Sequence, residues 1–293
     1  QIISFVKHQA KQRLYSICKL CCTYTKTLRI QSFQAHLDLI GFFKLLPCLE
    51  HFSLSYGVRH AGMSFELDMC GITKDDCKAL AACIRSTEML KTLSLCENTI
   101  TDDKLRMILT GLVKNRSITS LDFSHNSIGD VGCRYLAAYL QYNIKLKELK
   151  LCDNKIHEEG GRALARALLK NQHLKVLNIR LNRLGDEGGK QIFESLLENN
   201  TLKILYISHN ELNEESAKAA AAILKECDTL RCLDLSGNNL GEEGGKMIVQ
   251  GCETNKTIRA LDIRECGIQE SDLIFINKQV ANNKNTKEPQ TND

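Results

Sequence analysis

The chain has 293 residues, 43% of them apolar, with a formal net charge of +4 and no tryptophan. No apolar run approaches the 18 residues or so that a membrane-spanning helix needs, and residues 1–25 lack the pattern of a secretory signal. The length alone allows one or two domains.

Residues 1–37 carry Lys7, Lys11, Arg13, Lys19, Lys26 and Arg29, and the first carboxylate is Asp38. Residues 1–48 are expected to form an irregular N-terminal cap. Within it, Leu28 and Ile30 suggest a strand and Ala35–Leu46 a helix, which Pro47 ends. Residues 49–89 read as degenerate leading repeats, with strands at Phe52 and Leu54 and around Phe65 and Leu67, joined by the turn YGVRHAG.

From Leu90 the pattern becomes regular. Repeats open at Leu90, Ile118, Leu146, Leu174, Leu202, Leu230 and Ile258, a constant 28-residue step. Each fits L-x-x-L-x-L-x-x-N-x-L, as in LKELKLCDNKI from Leu146 to Ile156. A fixed period of this length marks a leucine-rich repeat solenoid. The expected fold is therefore α/β and a single elongated domain, with about ten parallel strands lining a concave face and helices on the convex rim. Helices pack about 8–10 Å apart and strands about 4.8 Å apart, so the stack must curve. The repeats span residues 90–281 and degrade after Ile276 into a short helix. Residues 282–293 are expected to form a polar, disordered tail.

Inside each repeat, alternation such as Glu148-Leu149-Lys150-Leu151 marks a strand. The asparagines that follow, Asn98, Asn126, Asn154, Asn182, Asn210 and Asn238, are expected to be buried and to satisfy backbone groups of the turn. Cys70 and Cys266 take that place in the flanking repeats. Acidic pairs open the helices (Asp102–Asp103, Glu158–Glu159, Asp186–Glu187, Glu214–Glu215, Glu242–Glu243), where the helix dipole favours them. Gly160–Gly161, Gly188–Gly189 and Gly244–Gly245 cost helix propensity, so close packing between coils is their expected reason.

Chemistry is mostly absent. No phosphate loop, dinucleotide fingerprint or HExxH occurs. Cys18-x-x-Cys21 with Cys22 lacks the second pair that a zinc site wants. No catalytic, cofactor-binding or metal-binding residues are assigned, and no enzyme activity is expected. The 14 cysteines are scattered in a chain that already has a core, so they are read as reduced thiols of an intracellular protein without disulfides. The sequons at Asn115, Asn199 and Asn255 all sit just before a strand, which points to repeat chemistry rather than glycosylation.

A solenoid offers one long repeated surface, and its exposed columns are the candidate site. The residue after each opening position reads Lys91, Thr119, Lys147, Lys175, Lys203, Arg231 and Arg259, nearly all basic. A second column reads Ser94, Asp122, Lys150, Asn178, Tyr206, Asp234 and Asp262. A third reads Cys96, Ser124, Cys152, Arg180, Ser208, Ser236 and Arg264. One reading is a solvated, charge-balanced sheet whose lysines follow from duplication. The other is a partner-binding face built from Lys147, Lys175, Lys203, Tyr206, Arg231, Asp234, Arg259 and Asp262, matched to a macromolecule with charges in rows. Nucleic acid fits poorly, because the acidic column repels phosphate and aromatics are few. A small-molecule substrate and a membrane are not expected either.

The frame resembles the ribonuclease-inhibitor class of leucine-rich repeats. YGVRHAGMSFELDM from Tyr56 and ITKDDCKALAACI from Ile72 resemble a narrower family, subunit five of the nexin–dynein regulatory complex, also called the T-complex-associated testis-expressed family. LNIRLNRLGDEGGKQIFESLLENNTL from Leu177, NNLGEEGGKMIVQGCETNKTI from Asn238 and RECGIQESDLIFINKQVANN from Arg264 are similar to it too. The resemblance covers about residues 49–283. It implies a non-enzymatic scaffold of the ciliary or flagellar axoneme, in the cytoskeleton, that links neighbouring outer doublets and regulates dynein-driven motility. Its partners would be other subunits of that complex. The alternative is a cytosolic regulator on the same solenoid, either a small-GTPase activator or a sensor ligand domain. The activators carry a long acidic tail, whereas residues 284–293 here are short and mixed in charge.

Overall fold

A computed structural model describes residues 2–57 and 71–285, with side chains from residue 9 onward. Nine parallel strands form one sheet in strict chain order: β1 (Thr27–Phe33), β2 (His51–Tyr56), β3 (Thr92–Ser94), β4 (Ser120–Asp122), β5 (Glu148–Lys150), β6 (Val176–Asn178), β7 (Ile204–Tyr206), β8 (Cys232–Asp234) and β9 (Ala260–Asp262). The helices are α1 (Ile2–Leu20), α2 (Leu39–Leu45), α3 (Lys74–Ser86), α4 (Asp102–Leu112), α5 (Asp130–Tyr142), α6 (Glu158–Lys170), α7 (Gly185–Leu196), α8 (Glu214–Glu226), α9 (Gly241–Glu253) and α10 (Glu270–Asn285). The chain is thus an α/β leucine-rich repeat solenoid.

The 28-residue period becomes geometry through register. From β3 to β9 every strand residue pairs with its counterpart in the next repeat, so Leu93, Leu121, Leu149, Leu177, Leu205, Leu233 and Leu261 stack in a single row. All seven are buried. In β3–β7 their strand neighbours are partly exposed on the other face. Each coil buries its apolar row only against its neighbours, which is why the core runs unbroken from Cys18 to Val280.

Two asparagine ladders close the coils. In the turn after the strand, Asn182 Nδ2 donates to the carbonyls of Leu151, Ile179 and Arg180 at 2.9–3.1 Å, while its Oδ1 accepts from Ile156 N at 3.2 Å. Asn98, Asn126, Asn154, Asn210 and Asn238 repeat the donor pattern. Asn126 and Asn154 are only partly buried. At Cys266 the thiol donates to Leu235 O at 3.2 Å, so the weak S–H does the work of the amide at the end of the row. The second ladder stands at the helix ends. Asn171 Nδ2 donates to Leu140 O and Asn143 O, and its Oδ1 accepts from His173 N and Leu174 N. Asn115, Asn199 and Asn255 do the same, are at most 4% exposed, and so explain the three sequons as structural amides. Asn283 extends this ladder into α10 by donating to Asn255 Oδ1.

The N-terminal segment departs from the expected irregular cap. α1 covers its first half and packs Tyr15 edge-on against Phe42, with ring centres 5.6 Å apart. β1 is a full member of the sheet, paired with β2. The helix expected over Ala35–Leu46 starts later, at Leu39, because Asp38 caps it by accepting from Gly41 N. Phe52 meets Phe43 and Phe42 to fill the first coil with aromatic rings.

The expected strand around Phe65 and Leu67 lies outside the described residues, as does Cys70. β2 pairs directly with β3, His51 opposite Thr92, so the sheet passes from one to the other without an intervening strand. That step is 41 residues long, against 28 in a regular coil. At the other end, the tail expected from residue 282 instead continues α10 as far as Asn285, and residues 286–293 lie outside the described residues. All thirteen cysteines among the described residues are free thiols.

Candidate interaction surface

The basic column lies one residue ahead of the strands. Each strand starts at the next position (Thr92, Ser120, Glu148, Val176, Ile204, Cys232, Ala260). Alternation outward from the buried Leu93 row therefore puts that column, not the basic one, on the middle of the open sheet face. The lysines form the N-terminal rim of the sheet. They are still in line, because Lys175 N bonds Lys147 O, Lys203 N bonds Lys175 O, Arg231 N bonds Lys203 O and Arg259 N bonds Arg231 O, each at 2.8 Å. Neighbours in this row are thus about 4.8 Å apart at the backbone.

Members of the row differ in what they hold. Lys91 and Lys26 both clamp Glu50, the latter at 3.0 Å. Hydrogen bonds from the two ammonium groups lower the Glu50 carboxyl to a pKa of about 2. Arg231 donates to the carbonyl of Asp228 at 2.6 Å and so is tied to its own loop. Lys147, Lys175 and Lys203 are exposed and, among the described residues, have no carboxylate within ion-pair distance.

The acidic members of the second column are committed internally. Asp234, only 7% exposed, accepts from Ser236 N and Oγ and from Ser208 Oγ, and lies 3.6 Å from Arg180 Nε. Arg180 Nε also donates to Ser208 Oγ at 2.8 Å, so one polar chain crosses three coils. Asp262 is held by the guanidinium of Arg264, with contacts of 2.6–3.2 Å that keep its carboxyl below the usual carboxylate range. Asp122, Asn178, Asp234 and Asp262 each accept the N–H two residues on and end their strands. Tyr206 is half-buried beside this network, and burial raises its pKa, with Cys232 and Asp234 adding to the shift. Between β7–β9 and α10 the face deepens into a concavity of about 630 Å³, lined by Arg180, Tyr206, Asp234, Asp262 and Arg264 among others. The eight proposed contact residues therefore divide. The rim lysines are available to a partner, whereas Asp234 and Asp262 already hold the face together.

The acidic helix starts have a role beyond the dipole. Asp130 Oδ1 accepts from His157 N and Gly160 N of the next coil, and Asp186 Oδ1 accepts from Asn213 N, Ser216 N and Ser216 Oγ. Each thus caps the helix that follows it in the stack. Asp102 reaches Gly129 in the same way. Glu158 holds the equivalent place in the sequence but turns to Arg162. The glycines make room for this cap: a Cβ on Gly160 would stand 2.6 Å from Asp130 Oδ1, and one on Gly132 2.5 Å from Asp102 Oδ1. Burial raises the Asp186 carboxyl, but the hydrogen bonds from Ser216 and Asn213 outweigh it and hold the group below its ordinary value.

Some of this was open to sequence reasoning and was passed over. The Thr92 column follows from the alternation itself. The second asparagine ladder recurs with the same period as the first, through Asn115, Asn143, Asn171, Asn199 and Asn255. The left-handed residue that turns every coil leaves almost no trace: it is Glu97, His125, Asp153, Leu181, His209, Gly237 and Glu265, at φ between 50° and 66°. Among the described residues no three His, Cys, Asp or Glu side chains gather as a metal ion requires, and no helix is long and apolar enough to cross a membrane.

Comparison with known proteins supports the repeat. A leucine-rich repeat model matches residues 114–137, 142–165, 170–193, 198–219 and 226–249. Curated relatives are Dynein regulatory complex subunit 5 of Chlamydomonas reinhardtii (40% identical over 85 residues, 29% of this chain and 22% of the relative), of Mus musculus (36% over 73 residues, 25% and 15%) and of Homo sapiens (38% over 68 residues, 23% and 14%). The chain therefore matches less than a quarter of the length of each. Among solved structures, an internalin of Listeria monocytogenes superposes with a TM-score of 0.49 at 16% identity, covering 84% of this chain and 63% of the internalin. The actin-binding site 2 of leiomodin-1 superposes at 0.46 and 18% identity, covering 50% and 86%. Neither score carries weight for function.

Proposed function

We propose that this chain is a non-enzymatic scaffold subunit of the dynein regulatory complex, placed in the axoneme of cilia or flagella. There it links neighbouring outer doublets and regulates dynein-driven motility through protein–protein contacts with the other subunits. The observation that carries this reading is the 36–40% identity to subunit 5 of that complex in an alga and two mammals. The architecture is consistent with it, since an elongated repeated surface suits several simultaneous protein contacts.

The docking element is the sheet rim at Lys147, Lys175 and Lys203, with Arg231 and Arg259 continuing the line and Tyr206 beside it. Like charges this close repel one another, and a partner with carboxylates in a row relieves that repulsion. Exposed pairs contribute only about 0–1 kcal/mol each, so binding rests on the row as a whole. A tagged full chain expressed in ciliated cells tests the assignment. It is expected to stay with detergent-extracted axonemes and to leave them together with the other complex subunits. A chain that washes out with the soluble fraction overturns the assignment.

A further inference from the structure

The helix side of the solenoid is not uniform, and residue size explains why. Where consecutive helices meet closely, the facing residues are small. A Cβ on Gly111 of α4 would stand 2.3 Å from the Ala81 carbonyl of α3, and one on Gly251 of α9 would stand 2.5 Å from that of Ala221 in α8. The same positions hold Ala137 and Ala167 at the α5–α6 junction and Ala165 and Ser195 at α6–α7. At α7–α8 they hold Phe193 and Ile223, and at α4–α5 Leu109 and Tyr139. Large side chains loosen both of these junctions, and α4–α5 is the more open of the two and the most open between neighbouring helices from α3 to α9.

The opening is a groove of about 460 Å³ whose floor and walls include Leu109, Val113, Tyr135, Tyr139 and Tyr142. Arg106 and Arg116 stand at its margins. Val113, Tyr142 and nearby Ile144 are 55%, 82% and 57% exposed, a cluster of large apolar side chains turned to solvent. The surroundings are strongly basic. From Lys104 to Leu121, and again from Val131 to Lys147, the sequence contains no Asp or Glu, while Arg106, Lys114, Arg116, Arg134 and Lys145 all lie exposed there. None of these five has an ion-pair partner among the described residues. Glu88 shares a neighbouring cleft with Lys114 and Arg116 but pairs with neither.

We infer that the α4–α5 groove is a docking site for an acidic peptide segment carrying aliphatic or aromatic side chains. The apolar floor takes those side chains, and the arginines at the margin meet the carboxylates. Nucleic acid matches the charge but not the floor: Tyr139 is buried and Tyr142 alone is widely exposed, so successive bases find no series of aromatic faces. The site lies on the helix side, separate from the sheet rim, and does not depend on membership of the dynein regulatory complex.

The test pans a displayed library of random 16-residue peptides on the full chain, with counter-selection on the variant Arg106→Glu/Arg116→Glu. Selected peptides are then measured by fluorescence anisotropy. They are expected to be rich in Asp and Glu together with Leu, Ile, Phe or Met. They should bind at least tenfold more weakly to Arg106→Glu/Arg116→Glu and to Val113→Ser/Tyr142→Ser, and equally well to Lys175→Glu/Lys203→Glu. All substituted residues are exposed, and thermal melting confirms that each variant is folded. Selection of neutral or basic peptides overturns the inference, as does indifference to both groove variants. A single-stranded RNA oligonucleotide that binds the groove more tightly than any selected peptide overturns it in favour of nucleic acid.

Discussion

The regular coils from Leu90 onward and the two leading coils solve the same problem by different means. In the regular coils, polar side chains bind each unit to the next at fixed offsets: two asparagine ladders, the aspartate caps and a left-handed residue in every turn. In the leading coils the spacing is irregular. It is short from β1 to β2, where Thr27 meets His51, and long from β2 to β3, where His51 meets Thr92, and among the described residues the turn ladder begins at Asn98. Aromatic packing of Tyr15, Phe42, Phe43 and Phe52 takes over there, helped by the Lys26–Glu50–Lys91 clamp. A repeat can use one simple polar device many times, because each copy meets the same neighbour. A coil without that neighbour needs a core of its own.

The largest expected effect follows from that contrast. Phe42 is fully buried between Tyr15 and Phe52, so Phe42→Ala should cost about 3–5 kcal/mol. Because α1 and α2 hang on that ring, the loss should appear as early melting of residues 2–57 in hydrogen exchange, with the coils after Leu90 protected. Uniform loss of protection along the chain would mean that the two regions are not built separately. Asn182→Ala is the counterpart in the regular region, expected to cost about 1–3 kcal/mol because it orphans buried carbonyls. In chemical denaturation its midpoint should fall, with exchange rising in both adjacent coils. An unchanged midpoint would show that the ladder carries no net stability. Asp130→Ala removes the cap on α6 and should cost about 0.5–2 kcal/mol, read as fraying at Gly160 and Gly161. The equivalent Glu158→Ala should do less, since Glu158 binds Arg162 rather than the next coil.

The clamp gives a pH signature. Glu50 is held at about 2 in the folded chain, below the roughly 4.3 of a free glutamate. Its contribution is therefore complete above about pH 4.3 and is lost as the pH falls toward 2. Glu50→Gln should be less stable than the natural chain at pH 6, and the gap should narrow through that window. A gap that stays constant from pH 6 to pH 2 would show that the two lysines do not set the Glu50 carboxyl.

Legibility followed the same divide. The strands, the buried leucine rows and the first asparagine ladder could be read because each recurs once in every coil, and the recurrence filters out chance. The rim lysines were read in the right row but on the wrong part of the surface, because the frame was counted from Leu90 rather than from the alternation around Leu93. Inward commitment of Asp234 and Asp262 was invisible, since it depends on Ser208 and Arg180 in other coils and on Arg264 folding back. α1 leaves no periodic trace because it belongs to no repeat; among its described side chains, Leu14, Tyr15 and Cys18 pack on the core and Tyr15 donates to Asp38 O. The α4–α5 groove depends on an exchange of small residues for Leu109 and Tyr139, which becomes meaningful only when consecutive helices are laid side by side.

The smallest expected effect on stability bears most on function. Lys147, Lys175 and Lys203 have no ion-pair partner among the described residues, so reversing all three to Glu should leave the melting temperature nearly unchanged, within about 0.5 kcal/mol per site. The decisive measurement is retention of that triple variant in detergent-extracted axonemes of ciliated cells lacking the native protein, across a series of salt concentrations. Docking through the sheet rim predicts that the natural chain is released only as salt rises and that the variant is released already at low salt. Retention of the folded variant equal to that of the natural chain at every salt concentration would contradict it.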